Sequence, residues 1–256
     1  LRPSPLFIGI VLLTIGGGGL CLVPNEAAAT AGVIVLVLGG WVVSLCLHEF
    51  GHAIVAYRGG DLSVPAKGYL NLDPRRYTDP MLSIVLPIIF VIVGAIPLPG
   101  GAVWLNQGAL RNRATRTRVS LAGPFANLVV GILLVIAVRI ALSATPTLTI
   151  GDPVAILLGA VSFLALLQIL AFGLNILPVP GLDGWGAIEP YLPWEAQRFG
   201  MQVRPWAPLI LVAILIGIPA AGGALFTAAD SVFSLIGGES LLASYGQSEF
   251  FFWQRL

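Results

Sequence analysis

Charge is scarce in this chain. Lys, Arg, Asp and Glu together make up only 10 % of its 256 residues, whereas soluble domains carry about 25 %. So few charges cannot cover a water-facing surface of normal size, and the mean hydropathy of +0.94 agrees. The net charge is only +1, and no dense basic run occurs, so nothing favours a nucleic-acid partner. Cysteine is nearly absent as well. Cys21 and Cys46 both fall in apolar stretches, which excludes a disulfide framework. Histidine is the rarest clue, with two copies in all.

What is abundant is apolar length. Hydrophobic residues form 57 % of the chain, and runs near the roughly 20 residues needed to cross a bilayer occur at 6–23, 32–57, 119–142, 153–177 and 206–226. A shorter piece, 81–96, carries Pro87 and leads into Pro97-Leu98-Pro99-Gly100-Gly101. The expected fold class is an all-α polytopic membrane protein. It has five to six transmembrane helices, with a re-entrant or strand-containing segment near 81–106. Piece 231–236 is too short to span, and Phe250-Phe251-Phe252-Trp253 has the character of an interfacial anchor. The whole of 1–256 reads as one integral membrane domain. Its core covers about 32–190, with additional helices at 6–23 and 206–226 and a tail at 227–256.

Loop charge orients these spans. Arg58, Lys67, Arg75 and Arg76 cluster in 58–80, and Arg111, Arg113, Arg116 and Arg118 in 110–118. The loops at 24–31 and 143–152 hold only Glu26 and Asp152. The positive-inside rule therefore puts the two arginine-rich loops in the cytoplasm. Span 32–57 runs inward, 119–142 outward and 153–177 inward. Segment 81–106, flanked on both sides by cytoplasmic loops, must enter and leave on one side. The first apolar run, with Arg2 before it and Ala27-Ala28-Ala29 after it, also allows a cleavable signal peptide, and the orientation is the same either way.

Both histidines fall in one motif, His48-Glu49-Phe50-Gly51-His52, inside span 32–57. Residues four apart stack on one helix face, so His48 and His52 can share one zinc with Glu49 beside it as general base. Ionisable groups at membrane depth cost about 2.5–3.5 kcal/mol each on the insertion scale, so three within five residues point to function. The third ligand is then a carboxylate or Cys46. Orientation removes Glu26, Asp152 and Asp230, and solvation explains Asp61, Asp73 and Asp79 in their charged loop. Asp183 follows a helix break at Pro178-Val179-Pro180-Gly181, on the same side as the histidines. Glu189 is the alternative.

Three motifs in order now carry a resemblance. They are His48-Glu49-Phe50-Gly51-His52, Ser120-Leu121-Ala122-Gly123-Pro124-Phe125-Ala126-Asn127, and Asn175…Pro178…Leu182-Asp183-Gly184. Together they resemble the site-2 protease family of intramembrane zinc metalloproteases, in its compact form without a peptide-binding or nucleotide-sensing extra domain. The resemblance implies one catalytic Zn2+ on His48, His52 and Asp183, with Glu49 activating water. It implies that Asn127 and Asn175 hold the substrate strand or the oxyanion, and that Gly123 and Pro124 let helices approach or kink. The partners it implies are the lipid bilayer and a transmembrane substrate, such as a signalling or anti-sigma-type protein. The active site would lie in a multi-pass cell-membrane protein, nearer the cytoplasmic side. Two other readings compete: a different membrane zinc metalloprotease, and a non-enzymatic transporter-like protein or pseudoprotease.

Overall fold

The computed structural model describes residues 2–77, 105–145 and 147–254. Among these the regular structure is helical, with no strand. The expected segment 81–106 lies almost wholly outside the described residues.

Helix α1 (Pro5–Cys21) starts with proline in its first turn and with Ser4 as cap, whose Oγ accepts from Phe7 N–H at 3.1 Å. It returns on α2 (Glu26–Gly59), which Asn25 caps in the same manner. At 1.5 Å per residue α2 is about 51 Å long, so it overshoots an apolar slab of about 30 Å. The pair is close-packed: a Cβ on Gly32 would stand 2.6 Å from the Cys21 nitrogen. The N–H of Ser4 also donates to the carbonyl of Asn71, so α1 is tied to the loop beyond α2. These contacts make the first apolar run part of the bundle.

Two more long helices complete the centre, α3 (Arg113–Ala144) and α4 (Pro153–Asn175). Helices α2, α3 and α4 are each long and apolar enough to cross a membrane, so this is a membrane protein. Helix α4 is the most enclosed of them, and its side chains feed two of the apolar clusters. Ala160, Phe163, Leu164 and Leu167 pack with Val33, Leu36 and Val37 of α2, while Ala165, Leu166, Ile169 and Leu170 pack with Val135 of α3.

Beyond α4 come the short α5 (Asp183–Ile188), α6 (Trp194–Val203), α7 (Ala207–Gly217), α8 (Pro219–Leu235) and α9 (Ser240–Phe250). Two sequence expectations change here. The run at 206–226 is not one helix: it breaks at Ile218, before Pro219, and turns sharply enough that a Cβ on Gly222 would meet the Leu215 carbonyl at 2.6 Å. Proline lacks the N–H that would continue the α7 ladder. Among the described residues three helices are long and apolar enough to cross a membrane, or four if α6 and α7, bent by 68°, are taken as one, so the five to six expected are not confirmed there. Finally, Phe250 and Phe251 are buried (2 % and 3 % exposed) against Phe163 rather than anchored at an interface. The cause is α9, which packs so tightly on α4 that Gly246 abuts the Gly159 carbonyl.

Candidate metal centre

The centre is assembled from α2, α3 and the start of α5. His48 and His52 lie one turn apart on α2, buried at 7 % and 6 % exposure. Helix α2 can press its backbone against α3 here because residue 51 is glycine. A Cβ at Gly51 would stand 2.8 Å from the Ala122 carbonyl oxygen.

Asp183 reaches them through a break whose chemistry is local. Pro178 and Pro180 supply no N–H, and Gly181 sits at φ +100°, a left-handed conformation that side chains disfavour. The chain then curls back under the end of α4, where a Cβ on Gly184 would meet the Ile176 carbonyl and lie 2.5 Å from that of Leu177. This turn starts α5 with Asp183 as its first residue. Helix α5 is pinned to α3 by Thr117 Oγ1, which donates to the Ala187 carbonyl at 2.7 Å.

Three side chains thus converge. His48 Nε2 lies 3.1 Å from His52 Nε2 and 3.2 Å from Asp183 Oδ2, and His52 Nε2 lies 3.3 Å from Asp183 Oδ1. The opposite edge of each ring is already engaged. His48 Nδ1 donates to Asn127 Oδ1 at 2.6 Å, and His52 Nδ1 donates to the Val119 carbonyl at 2.7 Å. With a proton on each Nδ1, both Nε2 atoms present lone pairs to one another and to a carboxylate. Such a cluster is repulsive without a shared cation. Zinc–nitrogen and zinc–oxygen bonds of about 2.0–2.2 Å place neighbouring tetrahedral ligands about 3.3–3.6 Å apart, close to the spacing observed. His48, His52 and Asp183 therefore fit a zinc ion as a three-ligand group.

The motif at 120–127, with Val119 just before it, proves to be the scaffold of the histidines. Val119, Gly123 and Asn127 recur every fourth residue, so they share one face of α3. Val119 and Asn127 hold the two Nδ1 atoms, and Gly123 between them leaves room for the Nε2 atoms. A Cβ there would overlap His52 Nε2 and stand 2.6 Å from His48 Nε2. Metal-bound histidines commonly rely on such outer partners to fix ring orientation and tautomer.

Each residue singled out from sequence can now be placed. His48, His52 and Asp183 come together, and Glu49 is buried beside them on α2 (3 % exposed). Glu189 is not in the cluster. Asn127 was expected to face substrate or an oxyanion. Its carbonyl faces His48 and its Nδ2 donates to Gln168 Oε1 at 2.9 Å, so both polar ends are engaged inside the bundle. Asn175 is half-buried at the end of α4, its Nδ2 donating to the Ala171 carbonyl. Sequence reasoning missed Val119, whose backbone does the work, and Gln168. A lone amide within the apolar run 164–170 was the signal for Gln168.

The relatives of this chain carry zinc metalloprotease names. The chain is 45 % identical, over 98 % of its length and 95 % of the relative's, to a Mycobacterium tuberculosis protein named "Putative zinc metalloprotease Rip2". The protein of that name from Mycolicibacterium smegmatis is 42 % identical over the same shares. A Bacillus subtilis protein named "Putative zinc metalloprotease YwhC" is 30 % identical over 68 % of this chain and 77 % of its own. No family model and no solved structure matches.

Proposed function

This chain belongs to the site-2 protease family of zinc metalloproteases, and from that premise we propose that it is an intramembrane endopeptidase. One observation carries the proposal. The only cluster that fits a metal among the described residues joins two buried histidines of α2, a helix long enough to span a bilayer, to Asp183 at the start of the short α5. His48 lies eleven residues before the end of α2 at Gly59, about 16 Å along the axis. With the arginine-rich loops in the cytoplasm, the centre sits below that surface, and its substrate is a transmembrane segment of another protein. Release of a signalling or anti-sigma-type protein from the cell membrane is the corresponding biological output.

When bound, zinc lowers the pKa of a water to about 7 and polarises the scissile carbonyl. The chain's own residues do the rest. His48, His52 and Asp183 hold the ion, with Asn127 and Val119 fixing the rings. Glu49 takes the proton of the attacking water and passes it to the leaving amine, the usual division of labour for a carboxylate beside an H-E-x-x-H pair. Asn175, next to the helix break that brings in Asp183, offers an amide donor to the substrate strand or to the developing oxyanion.

The test uses the purified full chain in detergent or vesicles. Wild type should contain one zinc per chain, and His48→Ala none. Wild type should cut a model transmembrane substrate within its apolar segment, and Glu49→Gln should keep zinc but lose at least a hundredfold in rate, as expected for removing a general base. Zinc without any Glu49-dependent cleavage would overturn the protease reading.

A further inference from the structure

Gln168 is fully buried in the middle of α4. Its Oε1 accepts from Asn127 Nδ2 at 2.9 Å, and Asn127 Oδ1 accepts from His48 Nδ1 at 2.6 Å. The three side chains form a relay across α4, α3 and α2 that ends on a zinc-ligand ring.

An amide has two ends of nearly equal shape and opposite hydrogen-bonding character. Which end Asn127 turns towards His48 decides the histidine tautomer. With the carbonyl towards it, Nδ1 keeps the proton and Nε2 offers a lone pair to the metal. With the NH2 towards it, Nδ1 must accept, and the proton moves to Nε2 and blocks coordination. We propose that Gln168 is a positioning residue that selects the metal-competent tautomer of His48, by accepting the Nδ2–H of Asn127.

Asn127 is 3 % exposed, so water cannot readily satisfy its NH2 group. Without the acceptor on Gln168, the flipped amide becomes the better-satisfied arrangement, because a buried donor left unmade is costly. The benefit does not lie in Gln168 itself, whose own Nε2 has no hydrogen-bond partner among the described residues. The arrangement favours the carbonyl end of Asn127, and hence His48.

The inference rests on the zinc reading, and the experiment separates the two. Zinc release to a competing chelator is measured for the full chain in detergent, in wild type, Gln168→Met, Asn127→Asp and the double variant. Methionine keeps the bulk of glutamine and removes the acceptor. Gln168→Met should bind zinc about tenfold more weakly, the lower end of the range for outer-shell changes at metal histidines. In the Asn127→Asp background the same change should have no effect on zinc affinity, because a carboxylate presents an acceptor to His48 in either orientation. Equal losses in both backgrounds would reduce Gln168 to packing and overturn the proposal. So would an unchanged Gln168→Met, or an Asn127→Asp protein that holds no zinc. Wild type without zinc would instead overturn the zinc reading itself.

Discussion

Gly123 stands directly over the histidine pair, where a Cβ would lie 2.6 Å from His48 Nε2 and overlap His52 Nε2. The rings cannot easily yield, since Asn127 and Val119 hold their far edges. Gly123→Ala should therefore lower zinc affinity at least tenfold, as disturbed outer partners do. Alanine favours helix over glycine by about 1 kcal/mol, which only partly offsets an overpacking cost of about 1–3 kcal/mol, so fold stability should fall modestly with it. Metal content and thermal unfolding of the same preparation check both halves. An alanine protein with full zinc would contradict the geometry.

The two asparagines should separate in kinetics. Asn127 supports His48, so Asn127→Ala should lose zinc. Asn175 makes its observed bond within its own helix, to Ala171. Asn175→Ala should keep zinc and lower kcat by about 10²-fold or more, the scale of removing one oxyanion donor. Metal analysis beside a cleavage assay decides; loss of zinc from the Asn175 variant would refute the assignment.

The C-terminal helix is held by a backbone-to-backbone approach. Gly246 of α9 abuts the Gly159 carbonyl, and a Cβ there would also be 2.8 Å from the Ala160 nitrogen. Gly246→Ala should destabilise the fold by about 1–3 kcal/mol, the range for overpacking. Zinc affinity should be unchanged, because the cluster lies on other helices. Unfolding in detergent, followed with zinc retention, measures both.

Two loop carboxylates give an acid limb to stability. Burial opposes ionisation of Asp61, but hydrogen bonds from Ser63 Oγ and from the N–H groups of Asn106 and Ser63, with Lys67 nearby, outweigh it and lower its pKa. Hydrogen bonds from Arg75 depress that of Asp73. A carboxyl with a folded pKa below its unfolded value, about 3.9 for aspartate, contributes stability that is present above that value. It is lost as pH falls through the lower folded pKa. Asp61→Asn should thus be less stable than wild type at pH 6, and the gap should close progressively below about pH 3.9. Unfolding temperatures from pH 6 to pH 2 test this; a gap that widens in acid would be the wrong sign.

The metal ligands were legible because each follows from a local rule. His48 and His52 share a face by helix periodicity, and Asp183 follows a proline-glycine break that no helix could cross. The helices themselves followed from apolar length. The division of 206–226 at Ile218 was less visible, since a proline inside an apolar run marks a kink as readily as a break between two helices. Only the packing of α8 against α4, through Ala229 and Phe233, selects the second outcome. The burial of Phe250 and Phe251 was hidden for a related reason. An aromatic cluster has the same composition at a membrane interface and in a core.

Local spacing by itself determined an H-E-x-x-H motif in an apolar helix and its two histidine ligands, because periodicity acts over a few residues, while loop charge and the chain break favoured Asp183 over Glu189 as the third. Which groups hold those ligands was decided by the tertiary structure alone. The Val119 carbonyl, the space at Gly123 and the Asn127–Gln168 pair meet the histidines only when α3 and α4 pack on α2, across 79 residues of sequence in the case of Asn127. Hydrogen bonds and steric clearance depend on distances in space, and no spacing along the chain encodes them.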